Sequence, residues 1–355
     1  MTRAWASAVL ILFGSILGLS FFNYEIPSAL LWSFALLFLA GVGSSTVERG
    51  MGSFVLRRLL EALLTLWVIA TFTFLLLRVL PGGPFDAEKV LPAAVLANLQ
   101  KKYHLDDPLW KQYADYIIGL MRGDLGQSYK YISRDISSIL AESLPNTIQL
   151  GVYALLISYL IGVPMGILAG WKPGSWWDFS SMFLAVSGVA LPSFLMAPVF
   201  ILIFAKQLGW VEPALWDGPA YYVLPTVVLG IRPASFIARL TRASVLEVIH
   251  SDYIRTARAK GLGQMAVLFK HVLRNSLIPV LTLSGPLASG VLTGSFVIER
   301  IFAIPGLANH AISSVTNRDY PLILATTLLF SVILVLTNLI TDLLMVILDP
   351  RVKLA

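Results

Sequence analysis

Eight apolar runs, each close to the length that crosses a bilayer as a helix, constrain this 355-residue chain more than anything else in it. A helix needs about 20 mostly apolar residues to cover the hydrocarbon thickness. The runs fall at 4–22, 26–43, 54–80, 147–170, 179–205, 222–240, 277–298 and 322–348, the second being the shortest. They are continuously apolar and lack the period-two alternation of strands, so an all-α integral membrane fold is expected rather than a barrel. Only 13% of the residues are charged and 57% are hydrophobic. A soluble domain carries about a quarter charged residues, so a water-soluble fold of this size would lack the polar surface to cover it.

Arg3 precedes the first run, as in a secretory signal. That run, however, ends in Leu19-Ser20-Phe21-Phe22-Asn23-Tyr24 without a small-x-small cleavage site, and a retained span is expected. Orientation follows from the basic residues of the short loops. With the N-terminus inside, the internal connections and tails carry Arg3, Arg49, Arg57, Arg58, Lys172, Arg351 and Lys353. They also carry Arg239, Arg242, Arg255, Arg258, Lys260, Lys270 and Arg274, whereas the short outer loops hold only Lys206, Arg300 and Arg318. The positive-inside rule therefore places both termini in the cytoplasm and accounts for the net charge of +6 without nucleic acid.

Two hydrophilic stretches interrupt the spans. Residues 81–144 lie outside and include a helical pattern at 109–121, with Leu109, Tyr113, Tyr116, Ile117 and Leu120 on one face, so a small external subdomain packed on the membrane is expected. Residues 239–275 lie inside. The organisation is thus a hairpin at 1–50 added to one membrane domain at 51–355.

The internal stretch reads Asp252-Tyr253-Ile254-Arg255-Thr256-Ala257-Arg258-Ala259-Lys260-Gly261-Leu262. A short basic helix over 251–260, closed by a left-handed cap at Gly261, is expected. Its small residues Thr256, Ala257 and Ala259 suit close approach by a partner protein, while its basic residues equally suit the anionic leaflet of the membrane. On composition alone both readings are open.

This stretch resembles the EAA loop of the permeases of ATP-binding-cassette importers, in the version of the peptide/nickel family. Gly261 and Ala257 match the family's glycine and alanine, while Arg255 and Thr256 stand where the general pattern has Glu-Ala. His271 and Arg274 depart from the general Ile and Pro, as is usual in the peptide branch. Further segments resemble the family: Phe54-Val55-Leu56-Arg57-Arg58-Leu59, Pro81-Gly82-Gly83-Pro84, Leu105-Asp106-Asp107-Pro108-Leu109 and Arg122-Gly123-Asp124-Leu125-Gly126. So do Leu144-Pro145-Asn146-Thr147, Gly294-Ser295-Phe296-Val297-Ile298-Glu299, Arg318-Asp319-Tyr320-Pro321 and Leu348-Asp349-Pro350-Arg351. The long stretch after the first core span is similar to that of B-type subunits.

The resemblance implies a six-span ABC-importer permease core, two further N-terminal transmembrane helices and the external subdomain, in a bacterial inner membrane. It implies import of di- or oligopeptides, with nickel chelates and glycosides as alternatives on the same scaffold. The implied partners are a second homologous permease subunit, two ATPase subunits that hold ATP and Mg, an external solute-binding protein and the lipid bilayer. Asp252, Tyr253, Arg255, Thr256, Ala257, Lys260, Gly261 and Leu262 would form the coupling helix against the ATPase. The first 50 residues have no counterpart in the family core.

Catalytic motifs are absent from the sequence. No Gly-x-x-x-x-Gly-Lys-Ser/Thr loop occurs, 166–172 lacking the spacing and the hydroxyl; no His-Glu-x-x-His pair occurs among the four histidines; no Gly-x-Ser-x-Gly elbow is present. With no cysteine there is no disulfide, thiolate metal site or cysteine nucleophile. No cofactor or metal is expected in this chain. An ion-coupled carrier would show an inverted repeat with midplane ion ligands, and a membrane enzyme a convergent catalytic set; neither is evident.

Pro192, Pro198, Pro279, Gly285, Pro286, Gly290 and Gly294 interrupt the later spans, which suits either pathway lining or close helix packing. Four polar residues lie within spans. Glu61, a turn from Arg57 and Arg58, is expected to form an interfacial ion pair. Asn338 and Asp342 share one face of the last span and are open to interhelical bonding or pathway lining. Arg232, near mid-span, is open to a pathway role or to a bond with Asp342 or with carbonyls freed at Pro233.

Overall fold

A computed structural model describes residues 52–80, 83–85, 93–131, 134–293 and 295–348. The hairpin expected at 4–43 lies outside these residues, as do Arg3, Arg49, Pro81, Gly82, Gly294, Pro350, Arg351 and Lys353. The chain is helical: α1 Gly52–Val79, α2 Ala93–Lys102, α3 Leu109–Met121, α4 Ile136–Trp171, α5 Trp176–Ala190 and α6 Ser193–Phe200 with a π-helical continuation at Ile201–Gln207. There follow α7 Pro219–Ile249, α8 Asp252–Ala259, α9 Gln264–Val267, a π-helical turn Leu268–Val272, α10 Leu273–Ser276, α11 Ile278–Thr282 and α12 Ser284–Thr293. The last are α13 Phe296–Ile301, α14 Leu307–Thr316 and α15 Tyr320–Leu348. Among the described residues the only β pairing is an isolated bridge between Gln127 and Asp135.

Among the described residues, four helices are long and apolar enough to cross a bilayer: Val55–Val79, Ile136–Trp171, Pro219–Ile249 and Tyr320–Met345. Two bent pairs, Trp176–Ala190 with Ser193–Gln207 and Gln264–Thr282 with Ser284–Ile301, raise the number to six if each pair is one span. The run at 179–205 is therefore not one straight helix. Leu191 is extended ahead of Pro192, a residue that disfavours helical backbone in its predecessor, and the two halves meet at 105°. The second pair bends by 46°.

Two helices outrun the sequence expectation. α4 starts at Ile136 rather than near 147, because Ile136, Ile139 and Leu140 form a helical stripe that buries against Leu307, Leu322 and Ala325. That packing outweighs the lost hydrogen bond at Pro145 inside the helix. α7 likewise continues to Ile249, past the expected end at 240, and buries Val245 in the next cluster.

The bundle is organised around α7, the most buried of the spans. α4 and α7 meet along a seam of small residues. A Cβ on Gly162 would lie 2.5 Å from the Ala234 carbonyl oxygen, and one on Gly166 2.5 Å from that of Ala238. From the other side, a Cβ on Gly230 would lie 2.8 Å from the Ala154 carbonyl oxygen, and Ser158 Oγ donates to the Gly230 carbonyl at 2.8 Å. Apolar helices have no hydrophobic drive to associate within lipid, so such backbone approach supplies much of their cohesion. α1, by contrast, leaves Leu56, Leu60, Leu63, Leu64, Trp67, Phe72 and Leu75 exposed, as a helix at the lipid boundary does.

The segment between α1 and α4 packs back onto the bundle. The helix expected at 109–121 is α3; its Tyr116 stacks on Phe74 of α1 and its Tyr113 meets the same ring edge-on. Tyr113 also shares a hydrogen bond of 2.7 Å with Thr71.

Candidate functional site

The basic stretch folds as expected into a short helix, α8, with Asp252 in its first turn and Arg258 in its last, each complementing the helix dipole. Its end is a Schellman cap. Gly261 N donates to the Arg258 carbonyl at 2.9 Å and Leu262 N to that of Ala257 at 3.3 Å, with Gly261 at φ +77°. A side chain at Gly261 would meet no neighbour, so the glycine is required by backbone conformation alone.

α8 is two-faced. Ile254 and Ala257, one turn apart, are buried with Val245, Val267, Leu268 and Val272. Asp252, Tyr253, Arg255, Thr256, Lys260, Gly261 and Leu262 are exposed, as are Arg258 and Ala259. Ala257 is therefore not a surface for a partner, contrary to the sequence expectation: its small side chain lets α8 lie close on its own bundle. The outward face is held in order locally. Asn275 Nδ2 donates to the Tyr253 hydroxyl at 2.7 Å, Thr256 Oγ1 to the Asp252 carbonyl at 3.0 Å, and Arg255 pairs with Asp252 at 3.4 Å.

The three polar residues considered for a pathway do not come together. Asp342 is bound by Arg58 Nη2 at 3.2 Å, not by Arg232, and the same guanidinium reaches Glu61 at 3.2 Å while Arg57 pairs with Glu61 at 3.0 Å. Asn338 lies against α12, where a Cβ on Gly285 would come 2.9 Å from its Oδ1. Arg232 alone opens on a cleft of about 450 Å³ between α7 and α12, together with Phe236, Arg239, Pro286 and Gly290. The bond from Asp342 to Arg232 considered from the sequence is thus replaced by one to Arg58, which ties α15 to α1.

Three buried carboxylates, Asp178, Glu299 and Asp319, had no role in the sequence reading. Glu299 is fully buried, accepts a short hydrogen bond from Ser295 Oγ, and accepts from Ala308 N at 2.9 Å, so it caps α14 from outside that helix. Thr147 Oγ1 accepts from the neighbouring Leu307 N at 2.9 Å, and Asn146 Nδ2 donates to the Pro305 carbonyl at 2.9 Å. The Pro145-Asn146-Thr147 and Ser295–Glu299 segments thus clamp one turn between α13 and α14. Asp319 is also buried and accepts from Ser128 Oγ and from Tyr129 N at 3.1 Å, pinning the α3–α4 loop to the start of α15. The acid four residues after a serine, with a glycine seven further on, was the available signal for Glu299. Among the described residues no group of histidines and acids could hold a metal ion.

Comparison with known proteins places relatives along most of the chain. The family model described as "Binding-protein-dependent transport system inner membrane component" matches residues 162–354, and a companion model for the N-terminal part of such components matches 51–151. The chain is 43% identical over 305 residues to the oligopeptide transport system permease protein OppB of Haemophilus influenzae, covering 85% of this chain and all of that one. It is 42% identical over 304 residues to the dipeptide transport system permease protein DppB of Bacillus subtilis, covering 86% and 99%. The fold is similar to a chain of the MetNI methionine ABC transporter, with a TM-score of 0.52 at 16% identity over 60% of this chain and 97% of that one.

Proposed function

The chain belongs to the family of binding-protein-dependent transport system inner membrane components, and from that premise we propose that it is the permease subunit of an ATP-driven importer of di- and oligopeptides. It is a multi-pass inner membrane protein that works in a complex with other subunits, and it is a permease rather than an enzyme. In this reading a second homologous permease, two ATPase subunits and an external solute-binding protein complete the complex, and ATP and Mg bind only in the ATPase subunits. The α8 end is cytoplasmic, as are both termini, in line with the basic residues that gather there. The α2–α3 segment of the 51–355 core lies outside.

The observation that carries the reading is α8 itself: a helix fixed to its own bundle by Ile254 and Ala257, with Tyr253, Arg255, Thr256 and Lys260 turned outward. Such a helix transmits force, because its inward face is packed and its outward face is free to seat in a cleft of another protein. A helix lying on the membrane surface would turn its apolar side to lipid instead. Within the chain, the cleft at Arg232 is the proposed share of the pathway. Asn338 and Asp342 serve the neighbouring helix contacts.

The test is a pull-down of the ATPase subunits together with hydrolysis stimulated by the peptide-loaded binding protein. Arg255→Glu and Gly261→Val should leave the spans inserted but release the ATPase or abolish stimulation. Retention of both properties in both variants would reduce α8 to a surface helix. Uptake of a labelled tripeptide by the reconstituted complex tests the substrate class.

A further inference from the structure

We propose that Arg232 and Arg239 make the α7–α12 cleft a recognition surface for anionic groups, so that the passenger is held there by its carboxylates. The proposal rests on the peptide-permease reading above and adds the chemistry by which this subunit discriminates among peptides.

Arg232, Phe236 and Arg239 fall at i, i+4 and i+7 of α7, one face of the helix. That face cannot rotate away, because the other side of α7 is held on α4 by the approach of Ala234 and Ala238 to Gly162 and Gly166. All three residues are exposed and line the cleft. The facing wall, from Pro286 to Gly290, brings no acid, and a Cβ on Gly290 would meet open space.

Among the described residues, neither guanidinium has a hydrogen bond or an ion pair. This is a contrast within one helix. Arg242, less than a turn beyond Arg239, is fully engaged by Asp178. Asp342 and Glu299 are also committed, the first to Arg58 and the second to the cap of α14. A guanidinium at membrane depth is costly unless water or an anion meets it. Arg232 within the span, and Arg239 two turns nearer the cytoplasmic end, therefore give one wall of a 450 Å³ cleft a positively charged face.

The spacing selects a ligand. Seven residues of helix separate the two Cα levels by about 10.5 Å. An extended peptide covers that distance in about three residues. The terminal carboxylate of a peptide can thus meet one fork while an acidic side chain about three residues earlier meets the other. Arginine presents paired donors matched to a carboxylate, which lysine does not. Phe236 lies between them as an apolar face for the peptide backbone.

The test uses proteoliposomes containing the complete importer with one binding protein. It compares uptake of three probes: Ala-Ala-Ala-Ala, its C-terminal amide, and Glu-Ala-Ala-Ala. The binding protein's own preference cancels when each variant is expressed as a ratio to wild type. Arg232→Gln and Arg239→Gln should each lower uptake of the free acids relative to the amide by about tenfold, as loss of an ionised hydrogen bond would. The fall should be largest for Glu-Ala-Ala-Ala in the double variant, and Arg→Lys should restore part of it. An unchanged acid-to-amide ratio with normal ATPase stimulation overturns the proposal. So does loss of subunit assembly with an unchanged ratio, since the arginines then pair with the second permease. If the wild type moves none of the probes although the loaded binding protein stimulates hydrolysis, the peptide reading itself fails.

Discussion

Arg242 on α7 grips Asp178 at the start of α5 through two parallel hydrogen bonds, Nε to Oδ1 at 2.6 Å and Nη2 to Oδ2 at 2.9 Å. Gly174 N adds a third bond to the same carboxylate at 3.0 Å, so one acid fixes the α4–α5 turn and the end of α7 together. Removing one member leaves the other poorly solvated. Asp178→Ala should cost about 2–3 kcal/mol, read as a lower unfolding midpoint of the detergent-purified complex. The exchanged pair Asp178→Arg with Arg242→Asp should recover part of the loss. An unaltered midpoint in Asp178→Ala would mean that the pair is idle.

The inward face of α8 separates folding from docking. Ala257→Glu would place a carboxylate among Ile254, Val267 and Val272, where an unpaired charge costs several kcal/mol. Ala259, two residues on, is exposed, and Ala259→Glu should leave the fold unchanged. The expected result is loss of monodisperse protein for Ala257→Glu only, seen by size-exclusion chromatography. Equal behaviour of the two would show that α8 does not pack through Ala257.

Glu299 and Gly306 share one space. A Cβ on Gly306 would lie 2.2 Å from Glu299 Oε2 and 2.6 Å from Thr147 Oγ1, so this glycine is needed for room rather than for its backbone angles. Gly306→Ala should cost about 2 kcal/mol through displacement of the buried carboxylate. Glu299→Asp withdraws that carboxylate by one methylene, so it should offset part of the loss when the two are combined. Thermal unfolding of the single and double variants measures the coupling, and strict additivity would contradict it.

Local signals were readable in the sequence, and long-range partnerships were not. α3 and α8 carry their own period and terminators, which is why 109–121 and the cap at Gly261 could be placed. The break at Pro192 was legible as a break, but its 105° angle depends on what each half packs against. Residues 136–146 read as loop because Glu142 and Pro145 mask a stripe whose partners, Leu307 and Leu322, are distant in sequence. An alanine gives almost no hydrophobic signal, so the inward direction of Ala257 was invisible. The choice of Arg58 over Arg232 as partner of Asp342 depends on which helices are neighbours. The family motifs were recognisable as strings, yet the task of Asn146, Thr147, Glu299 and Asp319, which is to join segments, appeared only in three dimensions.

The aromatic packing between α1 and α3 predicts alkaline sensitivity. Burial pushes the Tyr116 hydroxyl up to about 12, with the nearby Tyr113 adding to it. Burial likewise pushes Tyr129 up to about 12, against the opposing pull of Arg78. Both values are raised above the ordinary 10 of an exposed tyrosine, so the folded state favours the neutral phenols. Their contribution is complete below pH 10 and is lost as pH rises through about 12. A tyrosinate absorbance titration should lose one late-ionising group in Tyr116→Phe and one in Tyr129→Phe. The two variants should differ at neutral pH. The Tyr116 hydroxyl is buried without a hydrogen-bond partner among the described residues, so Tyr116→Phe removes an unmet polar group and should hold or raise the unfolding midpoint. A clear fall at pH 7 in Tyr116→Phe would mean that the hydroxyl is satisfied, and its late ionisation would then need a cause other than burial against Phe74.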